Sequence, residues 1–116
     1  MFYSIGKNLT AGSANTLFVV PTGHHAKVSM LFISNAGGST ASVSALWAET
    51  GGDIPFQGSK SVGAGDVLQF GGEYGYFLIL KDGESISVTP AAGSTFTALV
   101  SFELYPHPAS NFDLSA

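Results

Sequence analysis

Alternation of apolar and polar residues is clearest between Tyr76 and Tyr105, where three apolar runs are separated by two turn signals. In the last run every second residue is apolar, which predicts a strand with one buried and one solvent-facing side. The residues predicted to be buried are Phe96, Ala98, Val100, Phe102 and Leu104. Asp82-Gly83 separates the first two runs, and this pair is typical of a type I′ hairpin because both positions tolerate positive φ. The stretch predicts a three-stranded meander against which the rest of the chain packs.

A second long strand is predicted for residues 26–35. Apolar side chains fall on both of its faces, with Val28, Met30 and Phe32 on one and Leu31 and Ile33 on the other. A strand that is apolar on both faces is typical of a central position covered from two sides. Residues 41–49 return as its hairpin partner, and Trp47 is expected in the core because it is in phase with other apolar residues of that run.

The segment from residue 50 to 63 contains Gly51-Gly52, Pro55 and Gly58, which predict a loop with a brief strand near Phe56. No window has sustained helical periodicity, because Gly or Pro interrupts each one. The chain is therefore expected to be all-β: a single-domain, antiparallel, jelly-roll-like β-sandwich of about seven to nine strands.

The 116 residues fit one domain, and the pattern divides them into three parts. Residues 1–15 are interpreted as an N-terminal arm or edge strand, residues 16–105 as the β-sandwich, and residues 106–116 as an extended C-terminal tail. The tail follows from Pro106-His107-Pro108, since two prolines at this spacing end a strand and keep the chain extended.

Charge is sparse, with four Lys, no Arg, eight acidic residues and a formal net charge of −4. The lysines are scattered singly, which argues against nucleic-acid binding. No apolar run approaches the roughly 18–20 residues that span a bilayer, so no membrane partner is expected. A surface rich in Ser, Thr and Gly suits a protein that is assembled against other proteins rather than one selected for solubility alone.

Catalytic and metal-binding patterns are weak throughout the chain. His24-His25 is an adjacent pair whose side chains would point to opposite faces of a strand, so it is interpreted as a solvated turn. Asp82 and Glu84 flank a turn glycine and are interpreted as turn polarity. Gly-x-Ser-x-Gly is absent, as is a glycine loop that leads into Lys-Ser/Thr, and the chain has no Cys. We therefore expect no enzyme activity, no metal and no cofactor.

An aromatic platform for a sugar is the alternative that these residues leave open. Tyr74 and Tyr76 border a glycine-rich loop and are the candidates for glycan stacking.

Three segments resemble a pattern of small tailed-bacteriophage virion proteins. They are VVPTGHHAKVSMLFISNAGGSTASVSALW, VGAGDVLQF and LKDGESISVTPAAGSTFTALVSFELY, and the likeness covers about residues 17–105. Proteins with this pattern resemble capsid decoration (cement) proteins and small tail- or fibre-associated modules. The resemblance implies a jelly-roll-like fold and no catalytic residues.

The function implied is that of a virion structural protein, made in the host cytoplasm, that bridges and stabilises neighbouring capsid subunits. Its partners would be the major capsid protein or another virion protein, together with further copies of itself, as in a trimer. The alternative is a tail- or fibre-associated module that binds a carbohydrate or receptor. Partner contacts are expected near the two ends of the chain, at Phe2, Tyr3, Tyr105, Phe112 and Leu114.

Overall fold

The computed structural model describes residues 2–49, 51–72 and 75–106, and in this part of the chain it is entirely β. The nine strands are β1 (Phe2–Asn8), β2 (Asn15–Val19), β3 (His24–Asn35), β4 (Ala41–Glu49), β5 (Gly52–Val62), β6 (Val67–Gly71), β7 (Leu78–Leu80), β8 (Ser85–Pro90) and β9 (Phe96–Pro106). They form two antiparallel sheets, which confirms the predicted all-β sandwich.

Sheet A has the strand order β1-β9-β3-β6, and β7 continues the position of β6 along β3. Sheet B has the order β2-β8-β4-β5. The pairing is nested, because β1 pairs with β9, β2 with β8, β3 with β6 and β7, and β4 with β5. Nested antiparallel pairing that alternates between two sheets is the topology of a jelly roll.

The core lies between the two sheets and contains the inward side chains of both. Phe96, Ala98, Val100 and Phe102 of β9 are buried, as the alternation of the sequence predicts. Sheet B contributes Val43 and Ala45 of β4 together with Ile86 and Val88 of β8. Trp47 is half-buried and packs against this cluster, so its predicted place at the core is correct.

Strand β3 contains an irregularity that the sequence pattern does not show. Val28 pairs with Phe102 and Met30 with Ser101, so Ser29 is an extra residue in the ladder with β9. The bulge reverses the alternation, and Val28 and Leu31 therefore both point into the core. The predicted faces of residues 26–35 are thus wrong at Val28. Met30 and Phe32 lie on the opposite side, where no described strand covers them.

The bulge also requires a glycine on the neighbouring strand β6. Gly71 pairs with Met30, and a Cβ atom on Gly71 would lie 2.4 Å from the Ser29 carbonyl oxygen. That oxygen accepts a hydrogen bond of 2.8 Å from the Gly72 N–H. The glycines at the end of β6 are therefore required by close backbone approach rather than by a simple turn.

The hairpin predicted between residues 26–35 and residues 41–49 does not form. Residues 41–49 do not pair with residues 26–35, because β3 belongs to sheet A and β4 to sheet B. The partners of β4 are β8 and β5, and β5 occupies most of the segment predicted as loop. Pro55 and two register shifts are tolerated in β5 because it is an edge strand, where a missing N–H disrupts no inner ladder.

The predicted meander from Tyr76 to Tyr105 is also wrong in its connections. Its first and last strands, β7 and β9, lie in sheet A, whereas β8 lies in sheet B between β2 and β4. Asp82-Gly83 therefore carries the chain from one sheet to the other. Gly83 has φ 81° and Asp82 does not have positive φ, while the Glu84 N–H donates to the Lys81 carbonyl at 3.0 Å. This matches a type II turn rather than the predicted type I′ hairpin.

Gly83→Val is expected to lower the free energy of unfolding by about 1 kcal/mol or more, because a β-branched residue resists positive φ. Thermal or chemical denaturation followed by circular dichroism measures the change. Gly58→Val is the matched control, since Gly58 lies in β5 without positive φ and nothing lies within 4 Å of its Cβ position. Equal melting temperatures for the two variants would contradict the assigned turn.

The same turn holds a buried carboxylate. Glu84 is 0% exposed, and its Oε1 atom accepts hydrogen bonds from the Lys81 N–H (2.8 Å) and the Trp47 Nε1–H (3.2 Å). Asp82 is exposed, and its Oδ2 atom accepts a hydrogen bond from the Gly23 N–H at 3.3 Å. The interpretation of both acids as turn polarity is therefore wrong for Glu84, which ties the crossing between the sheets to Trp47 in β4.

Candidate interaction surface

The outer side of sheet A mixes large apolar and aromatic side chains with polar and charged ones. We call it the outer face of sheet A, and it consists of the side chains that alternate with the buried ones. From the strand register these are Phe2, Ser4, Gly6 and Asn8 of β1; Thr97, Leu99, Ser101, Glu103 and Tyr105 of β9; His25, Lys27, Met30, Phe32 and Ser34 of β3; and Val67, Gln69 and Ile79 of β6 and β7. Within the described residues, no strand packs over this face.

Several large apolar side chains of this face are exposed. Phe2 is 80% exposed, and Val67 and Ile79 are also exposed, whereas Leu99 and Phe32 are half-buried by their neighbours. Phe2 and Ile79 lie at opposite edges of one row, with Glu103 and Lys27 between them, and Val67 lies at the other end of the face. The exposed apolar side chains are therefore spread over the face, with Leu99 and Phe32 near its middle.

A shallow depression crosses one end of this face. It is lined by Gly6, Phe32, Val67 and Leu99, with polar neighbours from β1, β3 and β9. The depression exists because Gly6 has no side chain, and the Leu99 Cδ1 atom would lie only 4.0 Å from a Cβ placed there.

A cluster of aromatic and basic side chains occupies the other end. The Lys27 Nζ atom lies 5.1 Å from the centre of the Tyr76 ring and 5.2 Å from that of Tyr105. His25 packs edge-on against Tyr105 with 3.9 Å between ring centres. The register places Glu103 directly across from Lys27. Cation–π contacts at exposed sites contribute about 0.5–1 kcal/mol each, so the lysine adds a small stabilisation to the positions of both rings.

The predicted contact residues divide between this face and other places. Phe2 and Tyr105 lie on the outer face of sheet A, and Tyr76 lies beside them against Lys27. Tyr74 and the tail residues Phe112 and Leu114 lie outside the described residues. The roles predicted for these residues stay predictions.

Tyr3 points the opposite way from its neighbour Phe2. It pairs with Phe102, and the two rings stack with 5.6 Å between their centres. Phe18 of sheet B stacks on the same Phe102 ring at 4.1 Å with an interplanar angle of 3°. Tyr3 therefore closes the seam between β1 and β2 rather than facing outward.

The seam on the opposite side of the sandwich is closed in a similar way. Phe56 of β5 lies edge-on to Phe70 at 5.2 Å and to Phe77 at 6.3 Å. The aromatic residues at the two seams thus complete the core. They leave the outer surfaces of the sheets as the places where a partner could bind.

Sequence reasoning did not identify Lys27, which organises the aromatic–basic cluster. A lone lysine in a strand carries no pattern, and its neighbours come from β7 and β9, more than 40 residues away in the sequence. Met30 and Phe32 are the residues whose pattern could have indicated an outward apolar face. Their place in the sequence pattern instead predicts that a second layer of the protein covers them.

The outer side of sheet B differs in character. Its central strands carry Ser42, Ser44 and Leu46 of β4 and Ser85, Ser87 and Thr89 of β8, which are all uncharged, and Ser85 and Ser87 are each only 8% exposed. Large exposed side chains are therefore concentrated on sheet A and at the edges.

The histidine pair lies at the start of β3, not in a turn. The His24 Nδ1 atom is 3.1 Å from the Thr22 carbonyl oxygen, and His25 contacts Tyr105 on the outer face of sheet A. No group of three or more His, Cys, Asp or Glu side chains in residues 2–49, 51–72 and 75–106 is placed to hold a metal ion. The same ranges contain no helix that is long and apolar enough to cross a membrane.

No family model matches the chain, and no match was found among curated proteins. Among solved structures, a protein of the disulfide-linked pili that form Bacillus endospore appendages matches with a TM-score of 0.57 and 12% identity, over 93% of this chain and 87% of that chain.

Two viral structures match at lower TM-scores. One is a chain of the cyanophage Pam1 capsid asymmetric unit (TM-score 0.45, 13% identity), over 87% of this chain and 80% of that chain. The other comes from the T13 viral particle of IBDV (TM-score 0.33, 15% identity), over 97% of this chain and 41% of that chain. The likeness to the pilus protein shows that this chain shares its fold.

Proposed function

We propose that this chain is a virion structural protein of the capsid decoration (cement) type. It binds neighbouring capsid subunits and stabilises them by adding buried apolar area at their junctions. The observation that carries the proposal is the uncovered outer face of sheet A, on which the large apolar side chains of Phe2, Val67 and Ile79 are exposed and no described strand packs.

The free energy available from burying the exposed apolar side chains supports a binding role. Burial of a large apolar side chain contributes roughly 1.5–3 kcal/mol. Several such residues on one face are enough for binding that is repeated at many equivalent sites of a particle. The lack of any Arg and the small number of charges also favour contact with protein rather than with nucleic acid.

The proposed role requires no chemistry of bond formation or cleavage. The aromatic–basic cluster around Lys27 combines two tyrosines, a histidine and a lysine, which recognise a partner by packing and charge. We therefore propose that the chain is not an enzyme and acts by assembly alone.

A tail- or fibre-associated module that binds carbohydrate is the second candidate. It is favoured by Tyr76, which is 48% exposed and has a ring whose centre lies 5.1 Å from the Lys27 Nζ atom. An aromatic ring held at the surface can stack on a sugar ring, although one side of Tyr76 is near the ammonium group. Binding on a glycan array that is lost in Tyr76→Ala, with no association with capsids, would favour this function.

Gradient-purified particles of the virus that encodes the chain provide the direct test. We expect a band of this protein at a copy number close to that of the major capsid protein. We also expect the particles to melt at a lower temperature when the gene is deleted. Absence of the chain from such particles would overturn the proposal.

A pair of matched variants locates the binding face. Val67→Asp places a charge on the outer face of sheet A, across from Ser34 rather than from a lysine, and is expected to reduce particle binding at least about tenfold, because a buried unpaired charge is costly. Ile54→Asp is the control, since Ile54 lies on sheet B and has 42% exposure against 51% for Val67. Equal binding by the two variants would show that the outer face of sheet A is not the contact surface.

A further inference from the structure

Strand β1 is a long and regular free edge. Its seven residues pair with β9 without a register shift, from Phe2 opposite Glu103 to Asn8 opposite Thr97. The other side of β1 has no partner strand in the described residues. Such an edge offers unpaired N–H and C=O groups to another strand.

The other edges of the two sheets are interrupted. Strand β2 has a register shift between Thr16 and Phe18, and the Thr16 carbonyl oxygen already accepts a hydrogen bond from Lys7 Nζ at 2.9 Å. Strand β5 contains Pro55 and two register shifts. Strand β6 ends at glycines with φ 69° and 95°. Among the described edges, β1 is therefore the one best suited to strand addition.

The direction of the free backbone groups of β1 follows from one hydrogen bond. The Leu9 N–H donates to the Phe96 carbonyl oxygen at 3.0 Å, so Leu9 faces β9. Since backbone direction alternates along an antiparallel strand, Lys7, Ile5 and Tyr3 also face β9. The N–H and C=O groups of Phe2, Ser4, Gly6 and Asn8 therefore point away from the sheet.

The edge is also complementary to itself in shape. Phe2 projects from one end of β1 on the outer face of sheet A, and the depression beside Gly6 lies at the other end. An antiparallel pair of β1 strands with Ile5 opposite Ile5 places each Phe2 next to Asn8 and Gly6 of the second copy. The exposed ring can then contact Leu99 across the gap left by Gly6.

Charges do not oppose this arrangement. Lys7 is the one charged side chain of β1, and the register with Ile5 at the centre sets it opposite Tyr3 of the second copy. The two lysines are thus kept apart, and each can keep its hydrogen bond to the Thr16 carbonyl oxygen of its own copy.

We propose that two copies of this chain associate through β1 to form a two-fold dimer with a continuous sheet, each Phe2 seated in the other copy's depression at Gly6. Two paired edges of seven residues and two seated phenylalanines bury on the order of 1,000 Å², about the area that a specific interface requires. The proposal is independent of whether the protein belongs to a virion.

Sedimentation equilibrium of the purified chain is the first test, with a dimer of the 11.9 kDa chain expected at micromolar concentration. Ser4→Pro is expected to weaken dimerisation about 100-fold or more, because it removes an outward N–H and places a ring on the edge while leaving the ladder with β9 intact. Ser4→Ala keeps the backbone edge and is expected to dimerise like the original chain.

Gly6→Val tests the seat of Phe2 separately. Gly6 does not have positive φ, and a Cβ there would make ordinary contacts of 4.0 Å, so the variant is expected to fold. The added side chain fills the depression and is expected to weaken dimerisation at least about tenfold. Circular dichroism melting of each variant shows whether it remains folded.

Disulfide formation tests the register. The chain has no Cys, so Ile5→Cys introduces a single thiol. Two residues directly opposite in a non-hydrogen-bonded antiparallel pair have Cα atoms about 4.5 Å apart, within reach of a disulfide. Mild oxidation is expected to link Ile5→Cys into a covalent dimer and to leave Val19→Cys, an exposed site on β2, mostly unlinked.

Three results would overturn the proposal. One is a monomer at about 100 µM, which corresponds to association too weak to matter. Another is a trimer. The third is a dimer that folded Ser4→Pro and folded Gly6→Val both leave unchanged.

Discussion

Phe102→Ala is expected to lower the free energy of unfolding by about 3–5 kcal/mol, through lost burial and the cavity that remains. Phe102 is 5% exposed and is stacked between Tyr3 of its own sheet and Phe18 of the opposite sheet. The cavity would open at the seam between β1 and β2, where no other aromatic side chain can move in without losing its own contacts. Chemical denaturation followed by circular dichroism measures the loss.

Phe2→Ala is the matched control, because Phe2 makes the same change in side-chain volume at a site that is 80% exposed on the neighbouring strand. Its expected effect is within about 0.5 kcal/mol. The measurement is made at a concentration where the chain is monomeric, so that dimerisation does not contribute. A mild effect of Phe102→Ala would mean that the inward face of β9 is wrongly assigned.

Glu84→Ala is expected to cost about 3–5 kcal/mol, because it leaves a cavity where a side chain is 0% exposed and removes the acceptor of the partly buried N–H groups of Lys81 and Trp47. The loss also frees the turn that carries the chain from sheet A to sheet B. Trp47 is the single tryptophan, so its fluorescence reports both the local change and global unfolding.

Glu84→Gln separates the hydrogen bonds from the space that the side chain fills. Glutamine retains an oxygen acceptor in nearly the same volume, and the expected cost is about 1–2 kcal/mol. Trp47→Phe removes one donor, and a double-mutant cycle with Glu84→Ala measures the coupling of the pair. Additive effects of the two changes would show that the contact between Trp47 and Glu84 contributes nothing.

The local pattern of the sequence was sufficient for the fold class and for the inward face of β9. Phe96, Ala98, Val100 and Phe102 are buried because strict alternation leaves a strand only one way to bury its apolar side. The same reasoning failed in β3, where the bulge at Ser29 changes the alternation. A bulge depends on the strand opposite, so a single run of residues does not reveal it.

The connections between strands were predicted poorly for a related reason. Asp82-Gly83 was correctly identified as a turn, but a turn signal does not say which sheet receives the next strand. In this fold β8 lies in sheet B with β2 paired to one edge and β4 to the other, and five of its six residues are buried. That choice is made by long-range packing rather than by the turn residues.

The candidate surface was predicted in part, through Phe2, Tyr105 and Tyr76. The prediction rests on their being aromatic residues near the chain ends or beside a glycine-rich loop. Lys27 and the depression beside Gly6 were not predicted, because each arises from residues that meet only in the folded sheet. Tyr3 and Phe2 point to opposite sides of β1, since neighbours in a strand alternate, and the contact role expected for each stays a prediction.

The nested pairing of the strands has a consequence for how the chain folds during synthesis. Strand β9 lies between β1 and β3, so sheet A cannot form until a strand ending at Pro106 has left the ribosome. Contacts such as Phe2 with Glu103 are closed across nearly the whole sequence, which is typical of slow folding. Until then the inward residues of β1 and β3 have no partner strand between them, and the nascent chain must remain unaggregated by other means. We expect folding times of milliseconds to seconds and a requirement for low concentration or chaperones during expression.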